Sequence, residues 1–393
     1  MTSKPHHRHS RGMPTAKLMS HHSITKTNPS GCEYSLDSLC CSLATFKLPV
    51  ASSFSPFDDK IPTELVHRIF AYVHPAEVSK YKSLSKSFNI CLSDPHFATL
   101  NFANYVNLQM PLKCGETPNE FDRLWFQLSH EHQQVYASRF RELSSLRWYK
   151  NHLDGYIRPI SLLTTIVTLD LSCNNLNNEI PVDIGNLKCL EVLNLGVNSI
   201  SGEIPMQIGG LVALRILNIS GNRLHGQIPW SIGELTQLTH LDLNNNCLTG
   251  LIPSQLGQLL NLESLLLSAN LLTGWIPTEL TDLVHLSHLD LGSNLLCGPL
   301  PCAIGKLQSL RFLLTNNNSL TGVIPESIGL LHNLEYMDMK NNQLSDPVPV
   351  CLQYLQHLAY LDLSDNFIGK ADILMERVEA TWENEVFSDD DIL

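Results

Sequence analysis

Leucine returns at a fixed interval of 24 residues through the second half of this chain. The position of Leu169 is filled again by Leu193, Leu217, Leu241, Leu265, Leu289, Leu313, Met337 and Leu361, with no insertion or deletion. Nearly all of these residues begin an apolar-x-apolar alternation, which predicts a short strand with one face in the protein interior. Because the chain returns after each unit, the strands should lie side by side in a parallel sheet, ~4.8 Å apart and roughly 40 Å across.

An asparagine follows each predicted strand, at the point where the chain turns into the return loop. The column consists of Asn174, Asn198, Asn222, Asn246, Asn270, Asn294, Asn318, Asn342 and Asn366. A buried amide there can bond loop backbone groups that have no partner in the sheet, and each such group left unpaired costs ~1–3 kcal/mol. We therefore interpret the asparagines as structural and not catalytic.

The return loops share a second pattern, Gly-x-Ile-Pro and then Ile-Gly-x-Leu, as at residues 202–205 and 184–187. Glycine permits a turn with positive φ, and proline ends the extended piece that follows it. Ile-Gly-x-Leu suits a short helical turn on the convex side. Thr315 replaces a core leucine and Asp346 replaces the glycine, so we expect these two units to be locally less regular.

These features resemble the plant-type leucine-rich repeat, L-x-x-L-x-x-L-x-L-x-x-N-x-L-x-G-x-I-P, over more than half of the chain. The resemblance implies an α/β solenoid, a right-handed horseshoe or superhelix with a parallel β-sheet on its concave face. Residues 153–157 are a degenerate copy of the Leu-x-Gly-x-Ile segment. We therefore predict that the repeat domain spans residues 153–370.

Residues 56–100 have the spacing of apolar positions that is typical of helices. The first predicted helix covers residues 61–73 and ends before Pro75, which can begin a second helix. That second helix has regularly spaced apolar positions at Val78, Tyr81, Leu84 and Phe88. Residues 94–97, with the sequence Asp-Pro-His-Phe, are expected to close the unit.

This helical unit resembles an F-box, whose pattern begins with L-P-x-E and ends near K-x-W and D-P-x-F. The matching positions are Ile61-Pro62, Glu64, Ile69, Lys86-Ser87-Phe88 and Asp94-Pro95-His96-Phe97. Phe88 replaces the common tryptophan, and Ile61 the common leucine. The resemblance implies docking onto a Skp-type adaptor of a cullin–RING ubiquitin ligase, through contacts carried over to Pro62, Leu65, Ile69, Val78 and Phe88. The alternative is a small helical cap for the solenoid.

Three further segments flank these two units. Residues 1–55 are rich in His, Ser and Pro, and we predict a disordered tail. Residues 101–152 have helical periodicity and are predicted to be a linker that also caps the first repeat. Residues 371–393 are predicted to form a closing helix on the last repeat, followed by an acidic tail.

Charge and composition argue against several classes of protein. A formal net charge of −12 argues against a nucleic-acid binder, and the lack of any run of 18 apolar residues argues against a membrane span. The first 30 residues have no apolar core of a signal peptide, and the 11 cysteines show no paired spacing at the ends of the repeat array. We therefore expect a cytoplasmic or nuclear protein with no cofactor, metal site or catalytic motif.

Partner binding is expected on the concave sheet face, towards which the side chains between the core leucines point. In the later repeats one column of these side chains becomes aromatic and the next carries carboxylates. The candidate residues are His240, His288, Asp290, Phe312, Leu314, Tyr336, Asp338, Tyr360 and Asp362. Aromatic rings flanked by carboxylates suit a protein segment that bears Lys or Arg.

Two kinds of residue in this set have simpler explanations. Leu-Asp-Leu is common in such repeats, so the aspartates could reflect repeat consensus and not a ligand. His240 and His288 are two repeats apart, ~9.6 Å between backbones, which is too far for comfortable sharing of a metal ion. The aromatic row is the least generic part of the prediction.

The order of F-box-like unit, helical spacer and repeats favours an intracellular substrate receptor of a ubiquitin ligase. In this hypothesis the protein is not an enzyme, and it acts by bringing an unidentified protein substrate close to the ligase. One alternative is an extracellular or membrane-associated recognition protein, for which Asn218 and Asn317 are possible glycosylation acceptors. The other is an intracellular repeat scaffold unrelated to ubiquitin.

Overall fold

A computed structural model describes residues 63–82, 86–106, 108, 111–345 and 347–368. The side chains of Leu65, Ile69 and residues 86–88 are outside this set. The predicted N-terminal tail, closing helix and acidic tail likewise fall outside the described residues. None of the described helices is long and apolar enough to cross a lipid bilayer.

The chain first forms a unit of short helices. Its described α-helices, with those of the following cap, are α1 Thr63–Phe70, α2 Val78–Lys82, α3 Lys86–Leu92, α4 Pro95–Ala103, α5 Glu120–Leu124 and α6 His130–Ala137. Short 3₁₀ helices accompany them at Pro75–Glu77, Trp125–Gln127 and Ser138–Phe140. Helices α1 to α4 enclose a small apolar core of Val66, Val78, Leu92 and Phe97, each at most 3% exposed.

This unit departs from the sequence prediction in one place. Of the predicted second helix the structure describes α2 and α3, and residues 83–85 between them lie outside the described set. Residues 94–95 begin a further helix, α4, instead of closing the unit, because the Asp94 carboxylate accepts a hydrogen bond from the backbone N–H of His96 (2.9 Å) and proline fits the first helical position. The predicted domain boundary at residue 100 therefore falls inside α4.

A buried asparagine joins the helical unit to the cap of the solenoid. The Asn101 amide on α4 donates to three backbone carbonyls at the end of α1, at distances of 2.7, 2.9 and 3.3 Å. Its oxygen lies 3.2 Å from Nε2 of the buried His132 on α6. An ion pair between Lys82 and Glu131, 2.7 Å apart, crosses the same junction. Since each buried polar group left unpaired costs ~1–3 kcal/mol, these contacts hold the helical unit against the cap.

Helices α5 and α6 close the N-terminal end of the solenoid. Trp125 and Trp148 are at most 1% exposed and belong to the same apolar core as the repeats. The buried Asp122 carboxylate accepts hydrogen bonds from Nη1 of Arg139 at 2.9 Å and from the Tyr136 hydroxyl at 2.8 Å. These residues therefore cap the first repeat, the role that the sequence predicts for this segment.

The strands, numbered along the chain, alternate between two parallel sheets. The first sheet contains β1 Ser145–Arg147, β3 Thr168–Asp170, β5 Val192–Asn194, β7 Ile216–Asn218, β9 His240–Asp242, β11 Ser264–Leu266, β13 His288–Asp290, β15 Phe312–Leu314, β17 Tyr336–Asp338 and β19 Tyr360–Asp362. Leu193 pairs with Leu217, and Leu217 with Leu241, all fully buried, which confirms the predicted stripe. Leu146 on β1 pairs with Leu169, so the solenoid begins before the predicted residue 153.

The second sheet is formed by the Leu-x-Gly segments and was not predicted. Its strands are β2 Asp154–Tyr156, β4 Asn175–Glu179, β6 Ser199–Glu203, β8 Arg223–Gln227, β10 Cys247–Leu251, β12 Leu271–Gly274, β14 Leu295–Gly298, β16 Ser319–Gly322 and β18 Gln343–Leu344. A glycine with positive φ, such as Gly250 at +79°, is the last or next-to-last residue of the strands β6 to β16. Glycine weakens a strand, which is why the pattern alone does not predict a sheet here.

The Ile-Gly-x-Leu segments form the 3₁₀ helices of the convex side. Their ranges are Arg158–Leu162, Val182–Asn186, Met206–Gly210, Trp230–Glu234, Ser254–Gln258, Thr278–Asp282, Ile304–Lys306, Glu326–Leu330 and Val350–Tyr354. Their glycines allow neighbouring turns to pack closely. A Cβ atom on Gly209 would lie only 2.5 Å from the carbonyl oxygen of Ser231 in the next turn.

The asparagine column makes the same bonds along the repeats. The Asn270 amide donates to the carbonyls of Leu243, Leu267 and Ser268 at 3.0, 3.2 and 3.1 Å. Its oxygen accepts from the backbone N–H of Leu248 at 3.0 Å. Each asparagine thereby ties its own repeat to the preceding one, which supports the structural interpretation.

Two units depart from the repeat pattern, at Thr315 and at Asp346. Thr315 is fully buried and its hydroxyl has no hydrogen-bond partner, yet β15 pairs in register on both sides. The expected backbone irregularity is therefore absent at Thr315. Asp346 lies outside the described residues, and the neighbouring β18 has two residues, the shortest of the described strands.

Candidate functional site

Four rings lie in a row across the concave sheet of the later repeats. His288 and Phe312 stack with centroids 4.5 Å apart and an interplanar angle of 12°, and Tyr336 and Tyr360 stack at 3.9 Å and 7°. Phe312 and Tyr336 connect the two pairs at 6.3 Å. The direct register of β13, β15, β17 and β19 brings the rings together, as the 24-residue spacing predicts.

A column of carboxylates runs beside the rings. Asp290, Asp338 and Asp362 each accept a hydrogen bond from the backbone N–H two residues later, at 3.0, 3.0 and 2.8 Å. In earlier repeats Asn194 and Asn218 make the same bond at 3.1 and 3.0 Å. Because a neutral amide performs this structural task, the fold does not require the negative charge. We call the set His288, Asp290, Phe312, Tyr336, Asp338, Tyr360 and Asp362 the acidic-aromatic strip.

The carboxylates of the strip differ in their environments. Burial raises the pKa of both Asp290 and Asp338, and the neighbouring carboxylate Asp242 adds to the rise at Asp290. Burial also acts on Asp362, but hydrogen bonds from the following turn and the charge of Lys340 outweigh it, so its pKa is lowered. A cation placed among these groups would favour the ionised form of all three carboxyls.

The strip borders an open hollow of about 450 Å³. Its lining includes Asp290, Phe312, Leu314, Tyr336 and Asp338. Leu314 is half-buried and supplies an apolar floor between two carboxylates. A second hollow of about 690 Å³ begins at the same residues and continues along the concave face to Asp170 in the early repeats. The two hollows offer room for a polypeptide segment and not for a deeply enclosed small molecule.

The basic side chains beside the strip already have acidic partners. Arg311 donates to both carboxylate oxygens of Glu335, at 2.8 and 2.9 Å, with its guanidinium 5.6 Å from the centroid of Phe312. Lys340 lies 3.8 Å from Asp365. The strip therefore retains net negative charge that a bound partner can neutralise.

His240, the remaining candidate, is not part of the ring row. Strand β11, with Ser264 in the same column, lies between the strand of His240 and that of His288. The Nδ1 atom of His240 lies 2.9 Å from the Thr239 hydroxyl. Within the described ranges, no group of three or more His, Cys, Asp or Glu side chains is placed to hold a metal ion. The described cysteines are free thiols.

The predicted adaptor contacts are described only in part. Val78 is fully buried in the core of the helical unit, and this corrects its assignment as a contact, because a partner at the surface would not reach it. The contacts that fall outside the description are Pro62 and the side chains of Leu65, Ile69 and Phe88.

Several apolar side chains in the described part of the same unit are open to solvent. Tyr72 is 75% exposed and Ile90 is 67% exposed. Sequence reasoning did not single out Ile90, because α3 has only seven residues, too few to display a periodic apolar face. Ile90 and Tyr72 are therefore accessible on the surface of this unit.

Three family models match the chain, and all describe leucine-rich repeats. The matches are a leucine-rich repeat region over residues 145–273, a leucine-rich repeat over 285–307 and another over 306–368. No F-box model is among them. A comparison with curated proteins gave no match.

Similar solved structures include ectodomains of plant receptors. The ectodomain of the receptor kinase GASSHO1/SCHENGEN3 from Arabidopsis thaliana, in complex with Casparian strip integrity factor 2, is 41% identical over 57% of this chain and 27% of that chain, with a TM-score of 0.56. The plant peptide hormone receptor RGFR1, in complex with RGF2, is 31% identical over 60% of this chain and 42% of that chain, with a TM-score of 0.53. The Arabidopsis HAESA ectodomain, in complex with an N-terminally extended IDA peptide hormone, is 29% identical over 76% of this chain and 50% of that chain, with a TM-score of 0.57.

This chain spans half or less of the length of each of those three ectodomains. Its repeats share their fold, and the HAESA structure is a complex with a peptide hormone ligand. The leucine register, the two parallel sheets and the family matches show that this chain is a leucine-rich repeat protein, whose solenoid is a protein-binding fold.

Proposed function

We propose that this chain is a non-catalytic substrate receptor: its acidic-aromatic strip binds a basic segment of a protein, and its helical unit docks a Skp-type adaptor of a cullin–RING ubiquitin ligase. The observation that carries the first half is the continuous ring row beside carboxylates that keep net negative charge. This arrangement can hold a cationic peptide.

The dimensions of the strip suit an extended segment. Three strand-to-strand steps of ~4.8 Å make the ring row roughly 14 Å long, which is about four residues of extended chain. An arginine stacked on a tyrosine ring gains ~0.5–2 kcal/mol from the cation–π interaction, and a neighbouring carboxylate adds a charge-assisted hydrogen bond. A segment with Arg or Lys at alternate positions would meet both columns.

Folding alone does not account for the ring row. The same column holds Thr168, Val192 and Ile216 in the early repeats, at the same half-buried positions and with the same strand pairing. Small and β-branched side chains therefore satisfy the sheet there. The change to rings over four successive later repeats is best explained by a ligand.

The ligase half of the proposal rests on the F-box-like sequence and on the junction at Asn101. That junction packs the helical unit against the solenoid cap, so an adaptor bound to one end would lie at a set distance from cargo bound along the repeats. Proximity of this kind is the whole contribution that such a receptor makes to ubiquitin transfer. We place the adaptor contact around Ile90, with the protein in the cytoplasm or nucleus.

Two binding measurements on the full chain test the two halves separately. A labelled peptide of alternating Arg and Leu should bind, a matched Glu–Leu peptide should not, and the triple variant Asp290→Asn, Asp338→Asn, Asp362→Asn should lose the first interaction. The triple variant Glu179→Gln, Glu203→Gln, Glu279→Gln removes three exposed carboxylates away from the concave sheet and is the matched control. Equal binding of both peptides, or by all variants, would reject the strip as the site.

Purified Skp-type adaptor should co-elute with the full chain in gel filtration, and Ile90→Glu should weaken that complex. The exposed Tyr81→Glu, on α2 of the same unit, controls for added charge. An adaptor that never co-elutes would end the ligase half and leave the helical unit as a cap.

A second candidate function is extracellular peptide recognition, which is favoured by the similarity to plant receptor ectodomains in complex with peptide ligands. Of the two possible glycosylation sites, Asn317 is exposed, whereas the Asn218 oxygen accepts hydrogen bonds from the Ser220 backbone and hydroxyl at 3.0 and 2.7 Å. A glycan on Asn317 in native material would support this candidate. An unmodified Asn317 together with adaptor binding would support the ligase receptor.

A further inference from the structure

The solvent-facing side of the second sheet carries an apolar patch that the concave site does not use. We define the outer apolar patch as Leu251, Leu271, Trp275, Leu295 and Val323, on or directly after strands β10 to β16. Trp275 is 68% exposed, Leu251 63% and Leu295 55%. The Trp275 ring lies over the next repeat, where a Cβ atom on Gly298 would be 2.6 Å from its Cδ1. The patch is therefore continuous from repeat to repeat.

Folding does not require apolar residues at these positions. The column that holds Leu251 and Trp275 holds Glu179, Glu203 and Gln227 in the preceding repeats, all exposed and with the same parallel pairing. The early repeats thus show that the second sheet forms equally well with a charged outer column. Exposed contiguous apolar surface without a folding role marks an interaction surface.

The patch also lacks charge. The segments 247–251, 271–275, 295–299 and 319–323 contain no Asp, Glu, Lys, Arg or His. In a two-fold symmetric interface each side chain near the axis meets its own copy, so any charge there would repel itself. An uncharged surface is suited to self-pairing, whereas the acidic-aromatic strip would repel a second copy of itself.

We propose that the outer apolar patch is the contact surface of a symmetric homodimer, in which β10 of one protomer lies over the β16 end of its partner. This proposal does not depend on the function assigned to the concave face. Three strand spacings of ~4.8 Å and five residues of ~3.3 Å per strand give a footprint of roughly 240 Å². That is below the ~800 Å² per partner of stable complexes, so the dimer should be weak, with a dissociation constant on the order of tens of micromolar.

Sedimentation velocity of the full chain, from about 1 to about 200 µM, tests the proposal. The weight-average sedimentation coefficient should rise with concentration from the monomer towards the dimer value. Trp275→Glu and Leu295→Glu should each raise the dissociation constant by about tenfold or more. His225→Glu, exposed on β8 of the same sheet but outside the patch, should leave it unchanged. Thermal unfolding of each variant shows that it is folded.

Three results would overturn the proposal. One is a wild-type chain that stays monomeric throughout the range. Another is a dimer that persists in both patch variants, which would place the contact elsewhere. The third is a monomeric wild type that dimerises only when truncated after Ile368, which would show that the remaining segment of the same chain covers the patch.

Discussion

The two sheets of the solenoid are built by the same repeat but differ in the chemistry they present. The concave sheet of the later repeats offers rings and carboxylates, and burial raises the pKa of Asp290 and Asp338 there. The second sheet offers Leu251 and Trp275 in an uncharged surface. The repeat therefore fixes the backbone and the core, while the exposed columns are free to specialise for different partners.

Substitutions on one surface should change one binding activity strongly and leave the other activity intact. Neutralising Asp290, Asp338 and Asp362 together should weaken binding of the Arg–Leu peptide by about a hundredfold, roughly 2.7 kcal/mol, and leave self-association unchanged. Trp275→Glu should have the opposite pattern, with peptide affinity intact. Fluorescence anisotropy and sedimentation on the same preparations measure both. Parallel loss of both activities in either variant would show that the surfaces are not independent.

Next in size is a change that should affect both surfaces at once, through the asparagine column that lies between the sheets. Asn270→Ala removes a buried amide and leaves several backbone groups without their bonds, so the free energy of unfolding should fall by about 2–3 kcal/mol. Asn175→Ala removes an exposed asparagine whose bond is to Asp154 and should cost little. Urea unfolding gives both values. Equal effects of the two variants would refute the structural role of the column.

A smaller effect of opposite sign is expected at the fully buried Thr315. Its hydroxyl is unpaired in a column otherwise filled by Leu, Ile or Met. Thr315→Val keeps the shape and removes the buried polar group, so it should raise the free energy of unfolding by about 1 kcal/mol without altering either surface. Differential scanning calorimetry would detect the rise. A destabilised Thr315→Val variant would indicate that the hydroxyl has a partner after all.

The smallest effect is the pH dependence of the concave site. Because burial raises the pKa of Asp290 and Asp338, protons bind them at a higher pH than they bind an ordinary carboxyl, and peptide affinity should fall several-fold as pH is lowered through the range in which these two groups titrate. Burial lowers the pKa of His288, so this ring becomes positively charged at a lower pH than an ordinary histidine. Self-association through the uncharged patch should not change over this range. Isothermal titration at several pH values measures the affinity and the accompanying proton release.

Unfolding should not mimic this pH effect. The folded-state pKa of Asp290 is raised above its unfolded value, so the contribution of that carboxyl to stability is greatest below the unfolded pKa and is lost as pH rises through the folded pKa. Mild acid should therefore weaken peptide binding, while the contribution of Asp290 to stability rises. Asp290→Asn should flatten the pH profile of binding. An unchanged profile would assign the titration to another group.

Much of the solenoid could be predicted from the sequence because its determinants are local and repeat at a fixed interval. The 24-residue spacing placed Phe312, Tyr336 and Tyr360 side by side, and the structure confirms the row. The second sheet could not be predicted, because segments interrupted by glycine have the sequence pattern of loops. Only the structure shows that neighbouring segments pair as strands. The role of Val78 was misjudged for a related reason: helical spacing gives a face, but not what covers it.

By itself the sequence determined the register, the strand-and-loop alternation and the columns of the concave face, since each is a property of one repeat copied along the chain. Tertiary structure decided which exposed columns form a surface, how Asn101 ties α1, α4 and α6 together, and where the solenoid begins. These features depend on contacts between residues far apart in sequence. A pattern of residues along the chain shows the interval at which such contacts recur, but it does not show which residues they join.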